Sequence, residues 1–379
     1  MKVVLISSIT PSGHYSQYLT EGLAHLKNLL LISYVGKDEK TFRLKQNGTI
    51  RNVWSKNLLY IPQILKQLYK DKPDVVHIQQ EFNMYGNIFT AALFPVLILT
   101  MRLSGFRVVT TIHAAVYKKQ VTQKFVWLFN RKSYMKPLML KLFFHYIYLF
   151  TALFSNRVVV HTKRKFDILT RDYFVNPNSI SLIPVIIPSR KTTTPIPKPY
   201  FFYFGYMVRR KGIEELIAGF NSFIKAHPKP LYRLIMAGGI IRGQEYALQE
   251  IKNIIQKYGL RNRVILRGFI EESEQHKLYA ESTAVVIPSI VSFGYSGPLY
   301  HALSYHKCVL ASNEGYFKEI ITNNKSGILV KKNNWASSLY MAASNKSLRK
   351  LIEKNVIALA KLQAPALVAK EYLKLYRSL

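Results

Sequence analysis

The residues best suited to chemistry lie in a loop that follows a short apolar strand and opens a helix, within the stretch AVVIPSIVSFGYSGPLYHALSYHKCVLAS at 284–312. Pro298 suits the first turn of a helix, and Ser296 suits the N-cap. A glycine-containing loop before a helix directs free backbone N–H groups and the positive end of the helix dipole to the carboxyl edge of a parallel sheet. This pattern predicts a phosphate-binding site, although an ordinary strand-to-helix turn has the same spacing.

Two further groups of polar residues follow predicted strands. The strand VVTTIH at 108–113 ends in His113, at the edge where open α/β sheets bind ligands. An imidazole there could donate a hydrogen bond to an oxygen of a bound ligand. After another apolar strand comes RRKG, with Arg209, Arg210 and Lys211 in succession. These cations could balance the charge of a diphosphate, or they could form only a basic turn before a helix.

The elements that position these residues alternate between apolar strands and helices, which predicts an α/β fold. A length of 379 residues fits two α/β domains. The Pro-, Thr- and Lys-rich stretch at 188–200 has no periodicity and is typical of a linker. We predict domains at 1–190 and 191–362 and a last helix at 363–379. In the first half we expect strands at 3–7, 29–34, 75–78, 108–113, 158–161 and 181–184.

Several classes of function are disfavoured. Only one glycine, Gly13, follows the first strand, where a dinucleotide-binding fingerprint has three, so NAD is not expected. The single cysteine, Cys308, excludes an internal disulfide and a cysteine-cluster metal site. No nucleic-acid motif accompanies the net charge of +34, so we expect no nucleic-acid partner. No signal peptide opens the sequence, and we expect a cytoplasmic protein.

The positive charge is concentrated together with aromatic residues. Between Glu81 and Asp167 the chain has 13 Lys or Arg and no acidic residue. Within this block, residues 114–156 alternate lysines with Phe, Trp and Tyr, a composition that suits an anionic membrane surface. A helix pair packed on the sheet, with solvated lysines, is the alternative. We expect the segment to dock at the inner face of the cell membrane.

The 284–312 stretch resembles the donor-binding region of retaining family-4 glycosyltransferases (glycosyl transferases group 1), which have the GT-B fold. Their pattern P-S-x-x-E-G-F-G-x-P-x-x-E-A matches PSIVSFGYSGPLYHA at 288–302, and F-x-G-R-x-x-x-x-K-G matches FYFGYMVRRKG at 202–212. The phrase DVVHIQQE at 74–81 and the stretch 313–330 also match the family. The resemblance implies two Rossmann-like domains that face each other across a cleft, with a C-terminal helix that crosses back to the N-terminal domain.

The resemblance also implies an activity: transfer of a sugar from a nucleotide-sugar to an acceptor, with retention of anomeric configuration. The acceptor would be lipid-linked or a cell-envelope glycan. No D-x-D motif is present, so neither a metal nor another cofactor is expected, and Lys211 with Arg209 or Arg210 would stabilise the leaving diphosphate. His113 would border the sugar. The donor-binding positions would be Gly13, Gly205, Gly268, Phe269, Gly294, Ser296, Gly297, Pro298, Leu299 and His301.

Some family positions carry other residues here. The paired glutamates of the donor motif correspond to Phe293 and His301, and the arginine after the first glycine corresponds to Tyr206. An imidazole at His301 cannot accept two hydrogen bonds from a ribose at once. These replacements leave an alternative function open, that of a non-catalytic protein that keeps the fold and binds a sugar, a lipid or an enzyme.

Overall fold

The computed structural model describes residues 1–9, 14–44, 47–82, 84–129, 133–190, 196–241, 243–291, 294 and 296–379. The chain divides into two compact units. The first contains Met1–Phe125, Tyr134–Pro188 and Gln363–Leu379, and the second contains Val126–Ser133 and Ser189–Leu362. Residues 126–133 therefore group with the second unit, whereas the sequence placed them in the N-terminal domain.

The first unit is built on a seven-stranded sheet in which every described neighbour pair is parallel. The strand order is β3-β2-β1-β4-β5-β6-β7, so the direction of winding reverses between β1 and β4. The central strands are apolar and buried, as expected when helices cover both faces of a parallel sheet. The strands are β1 (Lys2–Ile6), β2 (Leu30–Gly36), β3 (Gly48–Trp54), β4 (Val75–Gln80), β5 (Val108–Ile112), β6 (Arg157–Val160) and β7 (Ile180–Leu182).

The helices of the first unit connect these strands, and the last helix of the chain joins them. Gly22 lies on α1, where an added Cβ would be 2.8 Å from the carbonyl oxygen of Pro365, so only glycine allows this approach. The hydroxyls of Tyr15 and Tyr372 are 2.6 Å apart and tie α1 to α15. The helices are α1 (His14–Ala24), α2 (Tyr60–Asp71), α3 (Ile88–Ala92), α4 (Phe94–Leu103), α6 (Pro137–Phe154), α7 (Lys163–Tyr173) and α15 (Pro365–Arg377). The residues of α5 (Gln123–Phe129) are divided between the two units after Phe125.

The second unit has a six-stranded parallel sheet with the order β10-β9-β8-β11-β12-β13. Its winding reverses between β8 and β11, the position where doubly wound sheets open a crevice for ligands. The strands are β8 (Tyr200–Phe204), β9 (Arg233–Ala237), β10 (Val264–Gly268), β11 (Ala284–Ile287), β12 (Val309–Ser312) and β13 (Ile328–Val330). The helices are α8 (Ile213–Ala226), α9 (Glu245–Lys257), α10 (Glu272–Glu281), α11 (Gly297–Ser304), α12 (Phe317–Ile320), α13 (Trp335–Ser344) and α14 (Lys346–Leu362).

The architecture confirms the predicted fold of two Rossmann-like units, including the return of the C-terminal helix to the first unit. One strand of the first unit, β3, was not predicted. It lies at the edge of the sheet, and Arg51 and Asn52 in its middle are exposed. An edge strand has no second neighbour to bury it, so its sequence lacks the continuous apolar run that marks the central strands.

Replacing Tyr372 by phenylalanine is expected to lower the free energy of unfolding by about 1–2 kcal/mol, because Tyr15 loses a buried hydrogen-bond partner. Denaturant titration measures the change. Tyr134→Phe, at a fully exposed side chain, is the control. Equal stability of the two variants would show that the hydroxyl pair does not hold α15 on the first unit.

Candidate functional site

The loops at the carboxyl ends of β8, β9 and β11 pack against each other with almost no space between their backbones. Gly238, after β9, has a φ of +137°, and an added Cβ would lie 2.0 Å from the carbonyl oxygen of Gly205, after β8. At Gly212 an added Cβ would lie 2.0 Å from the carbonyl oxygen of Pro288, which follows β11. Only glycine can occupy such positions. The tight turns hold the 205–212 loop at the crevice between β8 and β11.

The three cations predicted in this loop have different environments. Arg209 forms an ion pair with Glu250 on α9, including an Nε–Oε2 contact of 2.8 Å. Arg210 lies with its guanidinium 5.3 Å from the ring centre of Phe129, which belongs to the same unit. Desolvation, helped by the charge of Arg210, lowers the pKa of Lys211 to about 7. Arg210 and Lys211 are therefore better placed than Arg209 to meet an incoming anion.

Two buried serine hydroxyls lie near the N-terminus of α11. Ser296 is the N-cap residue, but its side chain makes no capping bond, and its Oγ has no partner among the described residues. The Oγ of Ser289 is also buried and has no hydrogen-bond partner among the described residues. A buried hydroxyl without a partner costs about 1–3 kcal/mol, so both hydroxyls are suited to donate to a ligand oxygen.

The backbone at the start of α11 offers fewer donors than the sequence suggested. Pro298 has no N–H, and the N–H of Leu299 already donates to the carbonyl oxygen of Ser296 over 3.0 Å. The expectation that Gly297, Pro298 and Leu299 together supply N–H groups is therefore wrong for two of them. Of these three, Gly297 is left as the backbone donor, supplemented by the hydroxyl of Ser296.

The other predicted donor-binding residues are only partly brought together. Gly205 lies next to α11, since an added Cβ would be 3.6 Å from Cγ of Pro298. Gly268 ends β10, the neighbour of β9 in the sheet, and its carbonyl oxygen accepts a hydrogen bond of 2.7 Å from the N–H of Gly238. Phe269 is exposed, and Gly294 is half-buried. Two positions named from the sequence, Gly13 and Phe293, lie outside the described residues.

His301 is buried in the second unit, where the sequence suggested a ribose contact. Its ring stacks on Tyr279 at 6.0 Å and lies 6.1 Å from the ring of Phe204. Nδ1 is 3.5 Å from the amide nitrogen of Gln275. These contacts pack His301 against the interior of the second unit. The side chain would have to leave this packing to contact a ligand.

His113, in the first unit, ends a chain of buried hydrogen bonds that begins on α15. Tyr376 Oη lies 2.6 Å from His77 Nδ1, and His77 Nε2 lies 3.0 Å from the amide nitrogen of Gln79. The amide oxygen of Gln79 lies 2.5 Å from Nε2 of His113. An amide nitrogen donates and an amide oxygen accepts, so Nε2 of His113 donates the proton and Nδ1 keeps its lone pair. The tautomer of His113 is thus set by residues on β4 and α15.

A second histidine lies beside His113 at the carboxyl edge of the sheet. The ring of His161 is 5.2 Å from the ring of His113, and the ring of Tyr15 is 4.9 Å from each of them. Nδ1 of His161 is 2.9 Å from the carbonyl oxygen of Ile183. Burial, with a smaller contribution from the charge of Lys165, lowers the pKa of His161 to about 3. Burial also lowers the pKa of His113 well below its ordinary value. Both imidazoles are neutral at pH 7.

Sequence reasoning did not identify Glu250, Gln79, Tyr376, His161 or Ser289 as parts of these two sites. Four of them contact residues that are distant in the sequence. Glu250, for example, accepts hydrogen bonds from Arg209, and Tyr376 is hydrogen-bonded to His77. Spacing along one sequence contains no signal for such pairs. Ser289 was visible in the P-S pair that opens the donor motif, but it was used only to recognise the motif.

Part of the chain matches a known family. Residues 188–357 match the family described as Glycosyl transferases group 1. The match includes the 205–212 loop and α11, and it covers less than half of the chain. A stretch of 129 residues is 28% identical to an uncharacterised glycosyltransferase of Methanocaldococcus jannaschii; it covers 34% of this chain and 30% of that relative.

Solved structures show the fold over the whole chain. HepE of Anabaena in complex with UDP has a TM-score of 0.73 at 13% identity, and each chain is covered completely. The same protein in complex with UDP-glucose also gives a TM-score of 0.73, at 14% identity and with both chains covered completely. Sucrose-phosphate synthase of Thermosynechococcus elongatus has a TM-score of 0.73 at 18% identity, over 100% of this chain and 98% of that one. The two units therefore have the GT-B fold.

The buried histidines predict how stability depends on pH. His77 and His161 have pKa values of about 3 in the folded protein, against an ordinary value of 6.5. Below pH 6.5 the unfolded chain binds protons that the folded chain does not, so stability is complete above pH 6.5 and is lost as the pH falls toward 3. In His161→Phe, the slope of unfolding free energy against pH between 6 and 4 should fall by about 1.4 kcal/mol per pH unit.

Denaturant titrations of wild type and His161→Phe at pH 8, 6, 5 and 4 measure this slope. The difference at pH 8 reports the packing change alone, because both proteins are then unprotonated at this position. Parallel curves from pH 8 to pH 4 would show that His161 becomes protonated equally in the folded and unfolded states.

Proposed function

We propose that the protein is a glycosyltransferase that moves a sugar from a nucleoside-diphosphate sugar to an acceptor. The observation that carries this proposal is that the loop with Arg210 and Lys211 approaches, through its glycines, both the segment after β11 and Pro298 at the start of α11. The N–H of Ile290 donates to the carbonyl oxygen of Arg210 over 3.0 Å, which joins the cationic loop to the segment after β11. The backbones of these segments are thus joined at the crevice between β8 and β11, where doubly wound sheets bind nucleotides.

The proposed chemistry uses this charge on the leaving group. When the bond from the anomeric carbon to the diphosphate breaks, negative charge grows on the diphosphate oxygens, and fixed donors stabilise it. Lys211 and Arg210 would supply positive charge, while Gly297 N–H and the hydroxyls of Ser296 and Ser289 would donate hydrogen bonds. The acceptor oxygen forms the new bond to the anomeric carbon and loses its proton. With two cations in place, the proposed reaction needs no metal ion.

The likeness to HepE structures with UDP and UDP-glucose makes a uridine nucleotide the first donor to test. Retention of configuration and a lipid-linked or cell-envelope acceptor are further parts of the proposal, and they rest on the sequence resemblance. The role of His113 toward a sugar hydroxyl stays a prediction. The tautomer set by Gln79 would make its Nδ1 a hydrogen-bond acceptor.

A non-catalytic binding protein is the second candidate, and the burial of His301 favours it. In a transferase with the family's motif this position is acidic and faces the donor, whereas His301 stacks on Tyr279. Release of UDP from UDP-sugars, measured with the purified full-length chain, separates the two. Saturable nucleotide binding with no release of UDP from any UDP-sugar, with or without added acceptor glycans, would support the second candidate.

Thermal stability in the presence of UDP tests the donor site. A ligand that binds only the folded protein raises the melting temperature with its concentration. We expect UDP to stabilise the wild type, Lys211→Met to abolish the shift and Arg210→Gln to reduce it. Arg209→Gln is the matched control, because Arg209 is already paired with Glu250. If Arg209→Gln reduced the UDP-induced rise in melting temperature as much as Arg210→Gln does, the assignment of Arg210 to the donor site would be contradicted. The absence of stabilisation by any nucleotide would also contradict the proposed donor site.

The pKa of Lys211 predicts how UDP affinity depends on pH. Above pH 7 the free protein holds this lysine mainly neutral, and binding a diphosphate requires that it take up a proton. The affinity should therefore fall between pH 7 and 9, by up to about tenfold per pH unit. The phosphates of UDP are fully ionised in this range. In Lys211→Arg the charge is permanent, so calorimetric affinities should be nearly constant. Equal pH dependence in both proteins would refute the role of Lys211.

A further inference from the structure

The outer faces of α3, α4 and α6 in the first unit carry large apolar side chains in contact with solvent. The exposed fractions are high: 72% for Phe89 and 78% for Leu103 on α3 and α4, and 66% for Leu138, 61% for Leu142 and 66% for Leu153 on α6. We call this set the outer apolar surface; its other exposed members are Ile88, Val96 and Met139. Contiguous exposure of this kind marks an interaction site.

The exposed residues of α6 form a stripe along the helix. Leu138, Leu142 and Leu153 recur at helical spacing, with half-buried Tyr146 and Leu149 between them. The opposite face, which includes Phe144, Ile147 and Tyr148, is buried in the unit. Helices at a protein surface normally carry polar residues on the face that meets water. The apolar outer face of α6 therefore indicates a contact with something outside this unit.

The helix is long and apolar enough to cross a membrane by length and composition, with 18 residues from Pro137 to Phe154. Its place in the fold argues against a crossing. It connects β5 to β6, two neighbouring parallel strands of one sheet, and it packs against α4. A helix fixed along the sheet in this way can present only its outer face, so it suits an interfacial position and not a transmembrane one.

A second stripe lies on α3 and α4. Phe89, Val96 and Leu103 are spaced by seven residues, which places them on one side of the helical segment. The inner side, with Phe94, Leu97 and Met101, belongs to the core of the first unit. Because α4 packs against α6, the apolar stripes belong to neighbouring helices. This second stripe lies outside residues 114–156, the segment to which the sequence assigned membrane contact.

The stretch of sequence that contains α3, α4 and α6 has charged residues of one sign only. Residues 82–166 contain 13 Lys or Arg and no Asp or Glu. Lys136, at the N-cap of α6, and Arg102, at the end of α4, are both exposed, and Lys141 on α6 is half-buried. Exposed apolar residues with cations at the helix ends are the composition of helices that lie in the headgroup region of anionic bilayers.

We propose that the outer apolar surface docks on an anionic lipid bilayer, with the leucines of α6 and Phe89 of α3 in the headgroup region. This surface would hold the protein at the inner face of the cell membrane. A second copy of the chain is a poorer occupant, since a twofold interface would bring the same cationic stretch against itself, and residues 82–166 contain no carboxylate to pair with it. The proposal does not depend on the transferase activity.

Vesicle flotation of the full-length protein in 0.15 M salt tests the proposal. Phosphatidylcholine vesicles with 30% phosphatidylglycerol should carry the protein upward, and pure phosphatidylcholine vesicles should carry much less. Leu142→Glu and Phe89→Glu should each weaken binding to the anionic vesicles about tenfold or more. Each substitution removes an apolar side chain that the bilayer would bury and adds a negative charge that the anionic lipids repel. Leu231→Glu, at an equally exposed leucine of the second unit, is the matched control and should bind as wild type does.

Three results would overturn the proposal. The first is no flotation of folded wild type with anionic vesicles. The second is an equal loss of vesicle binding in Leu231→Glu and Leu142→Glu, which would show that binding depends on net charge and not on this surface. The third is a dimer, detected by light scattering, that Leu142→Glu dissociates while vesicle binding persists. Circular dichroism and a cooperative thermal unfolding transition show whether Leu142→Glu is folded without any use of nucleotide binding, so a failure here is distinct from a failure of the donor site.

Discussion

Close contact between backbones at glycine determines the candidate donor site. Gly212 is the N-cap of α8, and its left-handed conformation and missing side chain let the 205–212 loop reach the carbonyl of Pro288. Gly238 meets the carbonyl of Gly205 in the same way. Any Cβ would push these loops apart. The position of Lys211, one residue before Gly212, is therefore fixed by backbone geometry and not by a side-chain partner.

This constraint explains how three adjacent cations come to differ. The short 3₁₀ turn at Arg209–Lys211 directs successive side chains apart, so that Arg209 finds Glu250 while Lys211 is drawn into a desolvated position. A lysine that has lost much of its solvation gains more from an incoming anion than one in water does, because the interaction acts at lower dielectric. The same desolvation makes its proton labile near neutral pH. Attraction to a diphosphate and sensitivity to pH thus have one physical origin.

The sequence was informative where one local rule decides the structure. The alternation of apolar strands with helices predicted the fold class, and the family motif singled out Lys211 and Ser296 as candidate site residues. It failed where tertiary contacts decide. Edge strand β3 has polar residues at Arg51 and Asn52 because it has a neighbouring strand on one side only, and periodicity missed it. The buried state of His301 depends on Tyr279 and Phe204, which no spacing connects to it.

The uneven charge of the chain has different consequences in its two units. In the second unit, glutamates on α9 and α10 accept from nearby arginines, as Glu250 does from Arg209 and Glu274 from Arg267. From residue 82 to residue 166 the first unit has no carboxylate to play this part. Self-repulsion among 13 cations destabilises the compact state, and helices with apolar outer faces add exposed hydrophobic area. An external surface that is both anionic and apolar relieves both at once, whereas water, dissolved salt or a second copy relieves at most one. This balance of charge and exposed apolar area is the physical basis of the proposed lipid contact.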